Sequence, residues 1–436
     1  MIRIYRWAEM PDAAREKLLR RAEKDIGDAA AAVRPVLEDV KTRGDGAVLE
    51  YTEKFDGVKL TKARLRVKKS EFMMARRSVK PRVLAALETA AANVGKFHRE
   101  QLPAWFRMSK VADGVMAGEK VSPVESAGLY VPRGKGSFPS VMIMLGVPAM
   151  VAGVKRVAVC TPPGKNGEVD AATLVAAGLC GIDEIYRVGG AQAVAALAFG
   201  TETIPKVHKI IGPGNPYVTA AKRELFGVLD VGTPAGPSEA IILADGAADP
   251  LLAAADLLIE AEHGPDSCAL LVTHSAALAE KAKRLLPGLL KNLPAWRRGF
   301  CESVFSNYGG IILTKSLAQS IEVVNRFAPE HLEILTENPF ETMEKVENAG
   351  EILLGPHAPI TMGNFCAGVN AILPSGGFAR TFSGVSVRDF LKYSSVAYLT
   401  REGFDRLAAT AAALADYEGF PAHAQAVRIR KKGRTK

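Results

Sequence analysis

Along the first hundred residues, apolar positions recur at spacings of three and four between glycine-rich breaks, which predicts helices over residues 12–26, 28–42 and 81–101. From about residue 127 the texture changes. Short runs rich in β-branched residues, at 127–131, 156–161, 184–188 and 208–211, alternate with alanine-rich helical runs, the signature of a parallel sheet with crossover helices. The alternation resumes with strands at 240–244, 269–273, 310–313, 331–336 and 351–354 and helices at 250–262, 276–286 and 316–327. Between the two stretches lies the Gly/Pro segment 232–239, too irregular for either element and placed to cross from one sheet to another. From about Gly384 to the end the pattern reads helical again.

At 436 residues the chain is longer than one core comfortably fills, so at least two domains are expected. Its 48% hydrophobic and 24% charged residues are the balance of an ordinary globular protein. The start of the chain lacks the pattern of a signal peptide, and no apolar run approaches the roughly 18 residues that would span a bilayer, so a cytoplasmic protein with no membrane partner is expected. Five scattered cysteines without a CxxC pair argue against a disulfide frame or a thiolate metal site. The net charge of +9 invites a nucleic-acid reading, but Arg428, Arg430, Lys431, Lys432, Arg434 and Lys436 crowd the end of the chain without interleaved aromatics. That is a solvated basic tail, and no nucleic-acid partner is expected.

Candidate chemistry is concentrated in three acid and imidazole clusters, in a chain with seven histidines. Glu260 and His263 stand three apart at a predicted helix end, hence on one face, and both are competent zinc donors. Glu330 and His331 adjoin in a turn, and Glu418 with His423 forms the third cluster. Taken singly, each has a plain reading as well: His263 suits a helix C-terminus, Glu330–His331 an ordinary turn, and His423 an exposed helix. Two strand-to-helix turns, Gly189-Gly190-Ala191-Gln192 and Gly212-Pro213-Gly214-Asn215, have the glycines that phosphate-binding turns need, although such glycines also serve backbone geometry alone. The loop 128–139 adds Arg133 and Lys135 among glycines and aromatics, either as a cover over an anion or as a solvated hairpin.

Together these residues resemble the histidinol dehydrogenase family from about residue 30 to about residue 425. The likeness rests on Gly-Leu-Tyr-Val-Pro at 128–132, Gly-Gly-Ala-Gln-Ala at 189–193, Gly-Pro-Gly-Asn at 212–215, Ala-Gly-Pro-Ser-Glu at 235–239, Ala-Glu-His-Gly-Pro-Asp-Ser at 261–267, Ala-Pro-Glu-His-Leu-Glu at 328–333 and Glu-Gly-Phe-Pro-Ala-His at 418–423. The resemblance implies an α/β fold of two Rossmann-like domains with parallel sheets and small helical terminal segments, in an intertwined homodimer with shared active sites. Expected boundaries are an N-terminal helical segment 1–25, a domain of 26–129 with 239–380 carrying the metal and acid–base residues, a domain of 130–238 carrying NAD contacts, and a C-terminal helical segment 381–436 with the basic tail. It further implies NAD and zinc as cofactors and oxidation of L-histidinol to L-histidine through the aldehyde. By motif, Tyr130, Gln192 and Asn215 would contact NAD, Glu330 and His331 would be the catalytic acid–base pair, and Ser238, His331, Asn364 and Glu418 would line the substrate pocket, Glu418 and His423 reaching in from the partner chain.

The sequence departs from the family where the metal should sit. The usual ligands Gln, His, Asp and His are here Glu260, His263, Asn364 and His423, so the carboxylate has changed places while formal ligand charge is conserved, and metal binding is expected to survive. Ala371 stands where the family carries a substrate-side His, and Arg133 where it has Gly. A paralogue acting on another small polar alcohol (amino, sulfo or polyhydroxy) is therefore the alternative, and a non-catalytic binding relative a further one.

Overall fold

The computed structural model describes residues 2–20, 26–134 and 136–432; Lys135, Arg434, Lys436 and residues 21–25 of the expected N-terminal helix lie outside them. The chain forms two compact units, Met1–Gln101 with Val124–Phe390, and Leu102–Pro123 with Leu391–Lys436.

The first unit holds two parallel sheets. The larger runs in the order Ile4–Arg6, Gly310–Leu313, Cys268–Thr273, Glu239–Ala244, His331–Leu335, Glu351–Leu354. Its middle strands are buried along their full length, as apolar runs covered by helices on both faces must be. The smaller runs Ile185–Arg187, Arg156–Thr161, Ser126–Tyr130, Lys209–Ile211. The alternating strand and helix texture thus appears as the expected α/β fold with parallel sheets.

Its grouping differs from the expected boundaries. Helices Ile26–Arg43 and Asp45–Asp56 pack on helices Gly190–Phe199 and Pro216–Glu224. Ala29, Val33, Val36, Val40 and Val48 share one core with Tyr130, Cys160 and Tyr186. The apolar face of this helix pair therefore belongs to the smaller sheet, not with residues 239–380. The strand Ser126–Tyr130, which the expected boundary divides, lies wholly in the smaller sheet. At the start of the chain Ile4–Arg6 extends the larger sheet as a strand, ahead of the helix Asp12–Arg20.

The second unit is an antiparallel sheet, Leu391–Leu399 beside Val115–Pro123 beside Phe106–Ala112, with helices Arg401–Tyr417 and Pro421–Lys432. The expectation of helix from Gly384 onward is corrected by the nine-residue strand Leu391–Leu399. That strand is exposed at most positions, so burial imposes no alternation of apolar and polar residues for the sequence to display.

Candidate active site

The edge of the larger sheet where its strands begin gathers most of the predicted site. Helix Leu317–Phe327 ends on Ala328 in the left-handed conformation (φ 53°), which turns the chain sharply so that Pro329 and Glu330 precede the strand opened by His331. Glu239 and Glu351 open the two flanking strands, with Glu351 directly opposite His331 in the parallel register. Helix Pro250–Ala261, started by Asp249 accepting from the Leu251 amide at 2.7 Å, delivers Glu260 and His263 to the same edge from its C-terminal end.

Hydrogen bonds fix these groups. Glu330 Oε2 accepts from the Glu239 backbone N–H at 2.8 Å, and His331 Nδ1 lies 2.7 Å from Glu351 Oε2. A buried carboxylate at that distance accepts a hydrogen bond from Nδ1–H, which keeps the proton on Nδ1 and leaves Nε2 as the ring's basic atom. Asn364, on the helix Ile360–Phe365, donates its amide to Glu260 Oε1 at 2.9 Å. The other Glu260 oxygen is 3.0 Å from His263 Nδ1, close but without hydrogen-bond alignment. Ser238 Oγ lies 3.0 Å from the same His263 nitrogen.

The electrostatics separate the two carboxylates. Burial works against the charge of Glu260, yet His263 and His331 beside it prevail and draw its pKa down to about 2. Glu330 is pushed up to about 8 by burial, which the pull of His331 does not overcome. Burial disfavours the charged form of His331, but Glu260, Glu351 and Glu330 outweigh it and lift the ring to about 9. A neutral-leaning acid beside a ring held cationic by its neighbours is the arrangement of an acid–base pair.

Ser238, Glu260, His263, Glu330, His331 and Asn364 are thus brought together in the first unit. Glu418, at the turn between its two helices, and His423, in the first turn of the second, belong to the second unit and are exposed. Among the described residues no three His, Cys, Asp or Glu side chains form a metal-binding group. Glu351 was missed by sequence reasoning, because its partnership with His331 exists only through strand register. Asn370 was also missed: it donates to the Met144 carbonyl at 2.6 Å and lies 3.3 Å from Nε2 of the fully buried His98, fixing the loop that carries Ala371. Arg133 is occupied away from this edge, donating to the Glu168 carbonyl at 2.9 Å.

A second constellation lies where the strands of the smaller sheet end. The Tyr130 hydroxyl, buried, accepts from the Gly190 amide at 3.0 Å and so holds the first glycine turn. Gly212 adopts φ 137°, and a Cβ there would stand 2.2 Å from the Tyr130 carbonyl oxygen, so only glycine fits. Asn215 caps the helix Pro216–Glu224 through a 3.0 Å bond from the Val218 amide. Gln192 is fully buried, and among the described residues neither polar atom of its amide has a hydrogen-bond partner.

The sequence profile described as histidinol dehydrogenase matches residues 19–431. The chain belongs to the histidinol dehydrogenase family. It is 52% identical over 431 residues to the histidinol dehydrogenase of Synechocystis sp., covering 99% of each chain. It is 51% identical over 422 residues to a histidinol dehydrogenase homolog of Cereibacter sphaeroides, covering 96% of each. The crystal structure of the Elizabethkingia anophelis histidinol dehydrogenase superposes with a TM-score of 0.94 at 35% identity, over 99% of this chain and 98% of that one. Family membership makes the chain an oxidoreductase, an NAD-dependent dehydrogenase acting on CH–OH donors.

Proposed function

We propose that the protein oxidises L-histidinol to L-histidine through the aldehyde, in two successive hydride transfers. The observation that carries the reading is the buried His331–Glu351 pair beside Glu330, opposite the Glu260–His263 corner. When bound, NAD would supply the hydride acceptor, and a zinc ion would supply a Lewis acid for the alcohol. His331, oriented by Glu351, takes the hydroxyl proton of the alcohol at Nε2 as the carbinol C–H bond breaks. Glu330, once ionised, takes a proton from water as the water oxygen bonds to the aldehyde carbon, and His331 gives the proton it holds to the carbonyl oxygen, which leaves the hydrate and a neutral ring. His331 then takes a hydroxyl proton from that hydrate as the second C–H hydride leaves, and the product is the carboxylic acid.

The residues present fit the dinucleotide and offer part of a donor set for the metal. Gln192, buried with an unsatisfied amide behind a glycine turn held by Tyr130, is suited to a nicotinamide dinucleotide, and Asn215 and Tyr130 shape the adjoining walls. For zinc, Glu260 and His263 offer two donors side by side and Asn364 a weaker oxygen, an incomplete set that His423 would finish. Glu418 and His423 are proposed to come from a partner chain in a homodimer. The second unit supports this, since Tyr398, Leu414, Tyr417 and Phe420 expose large apolar surface.

The second reading keeps the chemistry and changes the alcohol. Ala371 removes a polar group from the substrate side, and relatives named as the enzyme and as a homolog are about equally similar to this chain. NAD reduction measured across histidinol and a panel of amino, sulfo and polyhydroxy alcohols decides between them. Turnover of histidinol that is lost in His331→Asn supports the first reading, and no turnover by metal-replete protein rejects it. Mixing inactive His331→Asn and His423→Asn chains should restore part of the activity if sites are shared, and none if each chain works alone.

A further inference from the structure

The helix Asp45–Asp56 is fixed at its first residue. Buried Asp45 accepts from Thr201 Oγ1 at 2.6 Å, from Thr203 Oγ1 at 2.5 Å and from the Thr203 amide at 3.2 Å. Those threonines follow directly on the end of helix Gly190–Phe199, against which the helix Asp45–Asp56 packs. One helix therefore starts where the other stops, and the two run antiparallel. At about 1.5 Å per residue both are roughly 15–18 Å long. Asp56, at the far end, arrives beside the first turn of Gly190–Phe199, at the edge with the glycine turns. The electrostatics agree: the charge of Asp56 acts on Tyr130, whose hydroxyl holds the Gly190 amide.

At that place Asp56 Oδ2 is buried without a hydrogen-bond partner, and burial raises the carboxyl to about 6. A buried acceptor with no donor is costly to keep, and among the described residues none supplies a donor for it. Gln192, fully buried in the same first turn, is left unsatisfied too. Two unsatisfied polar groups flanking one glycine turn point to a ligand that brings its own hydrogen bonds. A carboxylate can accept from hydroxyls but not from phosphate oxygens, and a ribose diol offers two hydroxyl donors.

We propose that Asp56 accepts the hydroxyls of a dinucleotide ribose and so makes the site select NAD over its 2′-phosphorylated form, NADP. This rests on the dinucleotide reading given under the proposed function. A 2′-phosphate would replace a donor with a dianion facing the carboxylate, so the same atom that holds one cofactor repels the other.

The test is direct binding to the full-length protein without alcohol, by titration calorimetry, using NAD, its 2′-deoxyribose analogues and NADP. Asp56→Asn should weaken NAD by about ten- to hundredfold, the range for a hydrogen bond to a charged group. In the wild type one deoxy analogue should lose a similar factor, and in Asp56→Asn it should lose little more. Discrimination against NADP should shrink in Asp56→Asn and Asp56→Ala alike. Thermal melting of both variants guards against misfolding, and relief of an unsatisfied carboxylate should leave their midpoints unchanged or higher. Variants that bind NAD and reject NADP as the wild type does overturn the assignment while leaving the dinucleotide site intact. A wild type that binds no dinucleotide overturns that site and this inference with it.

Discussion

Replacing Glu351 with Gln tests the centre of the proposed site with little change of shape. The pair it interrupts is short, 2.7 Å, and both side chains are at most 4% exposed, so solvent cannot substitute for the lost charge. A buried hydrogen bond to a charged group contributes about 1.5–3 kcal/mol, and at about 1.4 kcal/mol per pKa unit its loss moves the ring down by about one to two units. From about 9, His331 should fall to between about 7 and 8. Because a base works in its neutral form, the rising limb of kcat/KM against pH should move to lower pH by that amount. The plateau should drop by about ten- to hundredfold, since a weaker and less firmly oriented imidazole takes the proton less readily.

The same linkage has a sign in stability. The folded-state pKa of His331 is raised, so its contribution is fully present below about pH 6.5 and is lost as pH rises through about 9. Glu351→Gln should therefore melt below the wild type near pH 6, with the gap closing above pH 9. The assay is NAD reduction across the pH range beside matched melting curves. An unmoved rising limb, in a variant that melts normally, would refute the dyad.

Other consequences are simpler. Gly212→Ala forces a Cβ against the Tyr130 carbonyl in a conformation L-residues avoid; it should cost about 1–3 kcal/mol by denaturant titration and weaken NAD binding. His98 is fully buried with its pKa lowered by burial, so the stability tied to it is full above about pH 6.5 and declines as pH falls, which the urea midpoint at neutral and mildly acidic pH should follow. Stripping metal with a chelator should lower the melting temperature; saturation at about a hundred times Kd corresponds to about 2.7 kcal/mol, and a protein that never contained metal would remove zinc from the mechanism.

The fold was legible where packing writes a period into the sequence. The buried strands Glu239–Ala244 and Cys268–Thr273 stand out because both faces must be apolar, whereas Leu391–Leu399, exposed along most of its length, carries no such signature. The placement of residues 26–65 was not legible either, since an amphipathic helix shows that it has a buried face without showing which sheet covers it. Motifs pointed to Glu260, His263, Glu330 and His331, which the structure brings to one edge of the larger sheet. Glu351 stayed hidden because nothing local marks it: its role comes from standing opposite His331 in a parallel register 20 residues away in sequence.

Unsatisfied buried polar atoms occur in both constellations, as well as at Arg187, His274 and Glu333. Most buried polar groups in a folded protein are paired, so orphans that cluster at a candidate site call for an explanation. Among the described residues, Gln192 and Asp56 Oδ2 lack partners on two helices, Gly190–Phe199 and Asp45–Asp56, that pack on each other. Where the larger sheet's strands begin, Glu351 Oε1 lacks a partner, and Glu260 Oε2 meets His263 without hydrogen-bond alignment. Gly363 shows that the second group is a built feature: a Cβ there would stand 2.4 Å from Glu351 Oε1, so room for that carboxylate is left by the residue next to Asn364. A sheet that needed only stability would fill such a space with an aliphatic side chain at each of these positions. Keeping charge there instead makes sense if hydroxyl, amide and cation are supplied from outside the chain, which is what an alcohol oxidised beside a dinucleotide requires.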